Sequence, residues 1–178
     1  MQKKEITFKT QFIKMNTTKN FDIIIIGAGV SGIGMACRLE KEIENLNYAI
    51  LERRSEIGGT WDLFNYPGIR SDSDMLTFGY DFRPWNGDKT LADGPSIKQY
   101  LIDTAEEYKV KNKIFFNSKV TFANWDSEEG RWNITVQDEE TQEQVFYTCN
   151  FLIAASGYTI MMRVIYQSSK GQNYSKVQ

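Results

Sequence analysis

Gly27, Gly29 and Gly32, together with Glu52, are the residues whose types and spacing most directly imply chemistry. The glycines close the segment Phe21-Asp-Ile-Ile-Ile-Ile-Gly-Ala-Gly-Val-Ser-Gly32, and the acid ends Tyr48-Ala-Ile-Leu-Glu52. An apolar run, a glycine turn, a helix opening near Ser31, a second apolar run and a carboxylate follow one another in the order that a dinucleotide site requires. Gly27 makes the turn, Gly29 lets the backbone approach a pyrophosphate, and Gly32 lets helix and strand pack closely. The helix N-terminus contributes amide donors and the positive end of its dipole to the phosphates. Glu52 stands where a carboxylate accepts hydrogen bonds from a ribose diol. A glycine triplet alone also serves as a plain tight turn. The full order of elements favours binding.

These residues need a scaffold, and the flanking pattern supplies one of α/β type. The spacing predicts a strand over 22–27, a helix over 31–45 and a strand over 48–52. Residues 53–95 show no regular period but are rich in large aromatics, which argues against disorder. Ser96-Ile-Lys-Gln99 reads as a capping box that opens a helix reaching Val110. Ile114-Phe-Phe reads as a third buried strand. Three half-buried strands are expected at 119–125, 131–137 and 144–149, where Trp132, Ile134 and Val136 alternate with polar residues. Phe151-Leu-Ile-Ala-Ala155 is apolar on both faces and reads as a central parallel strand.

Composition narrows the function. The chain has 178 residues, of which 41% are hydrophobic, enough for one core. Its 21 basic and 23 acidic residues give a net charge of −2 without a basic stripe, so nucleic acid is not an expected partner. Histidine is absent, which excludes imidazole acid–base chemistry and His metal ligands from this chain. Cys37 and Cys149 lie far apart with no metal spacing and read as reduced, buried thiols of a cytoplasmic protein. No apolar run is long enough to span a bilayer.

Two further segments carry a family resemblance. Gly58-Gly-Thr-Trp-Asp-Leu63 with Tyr66-Pro-Gly-Ile-Arg-Ser-Asp72, and the closing Phe151-Leu-Ile-Ala-Ala-Ser-Gly157, resemble class B flavoprotein monooxygenases, specifically Baeyer–Villiger monooxygenases of the ethionamide-activating type. The resemblance spans Phe21 to Tyr158. It implies a Rossmann-like FAD-binding domain, a mainly parallel sheet with flanking helices and a small antiparallel meander. It also implies FAD as cofactor, NADPH as hydride donor, and a ketone or a sulfur or nitrogen compound as substrate. Gly27, Gly29, Ser31 and Gly32 would then hold the pyrophosphate, and Glu52 the adenosine ribose. Thr60, Trp61, Asp62 and Leu63 would lie along the flavin half. Arg70, Ser71 and Asp72 would lie near the nicotinamide and isoalloxazine rings, and Val120 would meet the adenine through its backbone. By residue type alone, Trp61, Tyr66, Tyr80, Phe82 and Trp85 fit packing roles, and Asp72 and Asp74 fit solvated loop carboxylates.

The family pattern also contains a second Rossmann motif, a fingerprint with His and Trp-Pro, and a catalytic arginine, none of which this sequence shows. The expected organisation is an N-terminal extension (1–20), an incomplete FAD-binding domain (21–158) and an unstructured tail (159–178). Reading Thr159-Ile-Met-Met-Arg-Val-Ile165 one nucleotide out of frame permits Tyr-Asn-Tyr-Asp-Glu-Gly-Tyr, the family's continuation. This predicts a single-nucleotide deletion after Tyr158 in a longer monooxygenase. The resulting chain would be catalytically incomplete, with apolar surface exposed for association. The alternatives are a non-catalytic FAD-binding or non-functional remnant, and a free-standing NAD-binding protein, against which the Gly-Gly-Thr-Trp segment speaks.

Overall fold

Four isoleucines, Ile23 to Ile26, place the centre of the fold. In the computed structural model, which describes residues 18–157, they lie in strand β1 (Lys19–Ile26). Successive side chains of a strand point to opposite faces. Ile25 accordingly joins one apolar cluster, while Ile24 and Ile26 join another. Helix α1 (Val30–Glu42) follows the glycine turn and buries Ile33, Ala36, Cys37 and Leu39. It ends before the expected residue 45. Ile43 is already extended and nearly half exposed, and Asn45 takes a left-handed conformation that turns the chain toward β2 (Tyr48–Leu51).

Strand β2 runs parallel to β1, in register from Ile23↔Tyr48 to Ile26↔Leu51, and all four of its residues are buried. The segment 53–95 contains two single-turn helices, α2 (Thr60–Leu63) and α3 (Met75–Phe78). Aromatic side chains pin its later part. The Tyr80 hydroxyl donates to the Val30 carbonyl, the Tyr100 hydroxyl to that of Arg83, and Tyr80 stacks on Phe82 with ring centroids 4.8 Å apart. Tyr80, Phe82 and Trp85 therefore pack, as their residue type suggested.

Helix α4 (Gly94–Glu107) begins two residues before the expected cap at Ser96. The carboxylate of Asp93 accepts from the Ser96 amide at 2.9 Å, and Pro95 sits in the first turn, where its missing N–H costs nothing. A 3-10 turn (Val110–Lys113) leads into β3 (Ile114–Phe115), which pairs parallel with β2.

Strands β4 (Ser118–Asp126), β5 (Arg131–Asp138) and β6 (Gln144–Ala154) form the antiparallel meander. The two runs expected as separate strands, 144–149 and 151–155, are one strand. β6 pairs antiparallel with β5 through Cys149 and parallel with β1 from Tyr147 onward, so the pairings overlap and no break is needed. Lys19 and Asn20 extend β1 backward because they pair with Tyr147 and Thr148. The result is one six-stranded mixed sheet in the order β3-β2-β1-β6-β5-β4. Helices α1 and α4 cover one face. On the other face, Ile24, Ile26 and Leu51 pack with Val120, Ile134 and Tyr147 of the meander. Beyond Cys149, β6 has β1 on one side and no strand on the other among the described residues, and Phe151 there is 68% exposed. Tyr158, the expected tail (159–178) with its altered reading frame, and most of the N-terminal extension lie outside the described residues.

Candidate functional site

The glycine turn is built from three positions that tolerate no exchange of roles. Gly27 has φ +103°, and a Cβ there would stand 2.6 Å from the Ala155 carbonyl oxygen. At Gly32 a Cβ would stand 1.9 Å from the Gly27 carbonyl oxygen, so this glycine is what lets α1 leave so close to β1. Gly29 differs, since the nearest atom to a Cβ there is the Gly59 Cα at 3.5 Å. Gly29 caps α1 with no side-chain hydrogen bond, the first turn holds no acidic residue, and Ser31 is exposed. The first amides of a helix have no intrahelical acceptor, so this end suits an anion.

Glu52 is 6% exposed, yet both its oxygens are engaged. Oε2 accepts from the Ala28 amide at 2.6 Å and Oε1 from the Arg54 amide at 2.8 Å. The carboxylate therefore ties the glycine turn to the end of β2. Each oxygen keeps a lone pair that could accept from a diol. The Ser118 amide donates to the Glu52 carbonyl at 2.8 Å, which sets the start of β4, two residues before Val120, against the same strand end. The Val120 side chain itself is buried in the core.

A second glycine turn closes on the first. Gly58 has φ +141° and Gly59 φ +55°, and the Gly58 amide donates to the Ala28 carbonyl at 3.1 Å. A Cβ on Gly59 would stand 2.9 Å from the Gly29 Cα. Helix α2 starts here and brings exposed Thr60 and half-buried Trp61, Asp62 and Leu63 beside the glycine turn. Trp61 meets Phe78 edge-on at 6.0 Å. Asp62 lies between two cations, with Arg54 Nε at 2.5 Å and Lys98 Nζ at 2.7 Å. Burial would raise its carboxyl. The hydrogen bonds and charges of Lys98 and Arg54 outweigh that and hold it below the usual carboxylate range.

Arg70, Ser71 and Asp72 lie on a separate loop. Ser71 is buried, its amide donates to the Ala92 carbonyl, and its hydroxyl donates to the Ser73 carbonyl at 2.6 Å. Arg70 and Asp72 are exposed. A cleft of about 580 Å³ is lined by Trp61, Asp62, Phe64, Tyr66, Ile69 and Lys98. It borders the α2 end of the site and includes neither the first glycine turn nor Glu52. Arg54 and Lys98 were missed from the sequence. Arg54 stands two residues after Glu52, but nothing in the sequence pairs either cation with Asp62. Among the described residues no group of His, Cys, Asp and Glu side chains could hold a metal ion, and no helix is long and apolar enough to cross a membrane. Cys37 and Cys149 are buried and free. Burial pushes their thiols up to about 12 and about 11, which makes them packing groups at neutral pH.

Comparison with known proteins agrees with this geometry. The model of the NAD(P)-binding Rossmann-like domain matches residues 25–86. The FAD-containing monooxygenase MymA of Mycobacterium tuberculosis is 54% identical over 140 residues, which are 79% of this chain and 28% of MymA. The FAD-containing monooxygenase EthA of Mycolicibacterium smegmatis is 50% identical over 141 residues, with the same two shares. Among solved structures, an oxidized steroid monooxygenase bound to NADP superimposes with a TM-score of 0.69 at 28% identity, over 78% of this chain and 26% of its own. A protein named OTEMO, in complex with FAD and NADP, gives a TM-score of 0.67 at 31% identity, over 77% of this chain and 26% of its own. The chain thus spans about 28% of the length of the curated relatives it matches.

Proposed function

We propose that this chain, which matches the N-terminal region of FAD-containing monooxygenases of the Baeyer–Villiger type, holds FAD across its two glycine turns. The observation that carries this reading is the contact between Gly29 and Gly59. It joins a turn suited to a pyrophosphate to the Gly-Gly-Thr-Trp segment, and a free-standing NAD site has no need of that segment. The residues fit the group. Amides at the start of α1 stand free of side-chain caps, Gly29 leaves room for a phosphate oxygen, and Glu52 is held at the end of the neighbouring strand.

In this reading Gly27, Gly29, Ser31 and Gly32 bind the pyrophosphate, and Glu52 the ribose. Val120 offers its backbone at the adenine end, while Thr60 to Leu63 wall the flavin end. Arg70, Ser71 and Asp72 approach the ring system from their loop. FAD supplies the oxygen-activating chemistry and NADPH the hydride. The chain's own part is to bind, orient and exclude water at one side of that cofactor. A ketone or a sulfur or nitrogen compound as substrate belongs to the whole monooxygenase rather than to these residues. The sequence carries one Gly-x-Gly-x-x-Gly motif, so we assign no NADPH site to this chain. A cytoplasmic location is supported by its two unpaired cysteines.

The test is an absorbance spectrum after incubation with FAD and desalting, followed by NADPH. The expected result is a retained flavin spectrum that NADPH does not bleach. Loss of all flavin on desalting overturns the FAD site. Rapid bleaching overturns the assignment of the donor site elsewhere.

A further inference from the structure

The ion cluster around Asp62 lies at the α2 end of the proposed site and is built from side chains of this chain alone. It draws on three elements: Arg54 and Glu56 from the β2–α2 connection, Asp62 from α2, and Lys98 from α4. Its contacts are Arg54–Asp62 at 2.5 Å, Lys98–Asp62 at 2.7 Å and Lys98–Glu56 at 3.2 Å. Two cations face two anions, so the cluster is charge-balanced. Asp62 is its least exposed member, with 11% of its side chain accessible.

This cluster presses on one place. A Cβ on Gly58 would stand 2.8 Å from Asp62 Cβ and 3.3 Å from Lys98 Cγ. Gly58 in turn donates to Ala28 inside the first glycine turn, and Gly59 touches Gly29. Arg54 also links to the other end of the site, because its amide donates to Glu52. Gly58 and Gly59 both hold positive φ, conformations that an unfolded glycine leaves as readily as it enters. Something must keep them there.

We propose that Arg54, Asp62 and Lys98 act as a positioning clamp that holds the Gly58-Gly59 turn against Gly29, so that the two turns are set in place before a dinucleotide arrives. The clamp is a property of the chain alone. Its effect on FAD rests on the reading given above.

The test compares Asp62→Asn and Lys98→Gln with the unaltered chain, and uses Glu56→Gln as a control that touches only the outer side of Lys98. Hydrogen exchange reads the clamp directly through the Gly58 amide. The expected result for Asp62→Asn and Lys98→Gln is faster exchange confined to residues 57–64, with β1 and α1 unchanged. Asp62→Glu should restore part of the protection, and Glu56→Gln should leave it intact. FAD affinity, from flavin fluorescence titration, should fall about tenfold in Asp62→Asn, equivalent to roughly 1.4 kcal/mol. Unchanged exchange at Gly58 overturns the proposal, as does acceleration spread evenly over the sheet. Should the unaltered chain fail to bind FAD while Gly58 responds as described, the clamp stands and the cofactor reading falls.

Discussion

Gly29 and Gly32 belong to one motif, yet the structure gives them different work. A Cβ at position 32 runs into the Gly27 backbone, which cannot move without shifting β1, whereas a Cβ at 29 meets Gly59 at ordinary contact distance. Gly32→Ala should therefore destabilise the chain by about 3 kcal/mol or more in urea denaturation, with or without ligand. Gly29→Ala should change the stability of the ligand-free chain by less than about 1 kcal/mol and, if Gly29 meets the pyrophosphate as proposed, still abolish FAD retention. Equal stability losses in both variants would assign Gly29 to the fold instead. The turn at Gly27 and the close packing at Gly32 were legible in the sequence because both depend on local backbone order. The engagement of Asp62 was not. Its partners lie at positions 54 and 98, and ion pairing across elements leaves no periodic trace.

At the scale of elements, α4 shows how small a signal moves a helix start. Asp93, not Ser96, caps it, and the hydrogen bonds from Ser96 hold the Asp93 carboxyl down at about 2. A carboxyl depressed in the folded chain contributes stability above its ordinary value near 4, and that contribution fades as pH falls toward 2. Asp93→Ala should thus lower the thermal midpoint at neutral pH, and the gap to the unaltered chain should narrow steadily below about pH 4. A gap independent of pH would mean that Pro95 and packing, rather than the carboxylate, set the helix start. The alternation of β5 and the apolar runs of β1 and β2 were readable because burial imposes period two or continuous hydrophobicity. The union of 144–149 with 151–155 was not readable. A strand that changes partners midway carries two local patterns, and each resembles a separate element.

On the scale of the whole molecule, one side of β6 past Cys149 has no strand partner among the described residues. The edge at β3 is only two residues long, and β4 carries a register shift between Val120 and Phe122 together with Lys119 and Asp126. Such devices blunt an edge. Asn150 to Gly157 has no charged residue, and Phe151 stands out from it. The purified chain should associate as its concentration rises, as measured by light scattering, and Phe151→Lys should suppress this without altering the circular dichroism spectrum. Association unaffected by Phe151→Lys would point to the exposed Tyr66 and Leu76 instead. The β1–β6 register has one more consequence. Asn20 and Thr148, joined by a side-chain hydrogen bond, are 128 residues apart in sequence. During synthesis β2 and β3 can reach β1 early, but its other flank waits until β6 has left the ribosome. Through that interval the isoleucine run stays half covered on the nascent chain. A chaperone that reads bare apolar strands meets this protein at its own centre, before the fold exists to hide it.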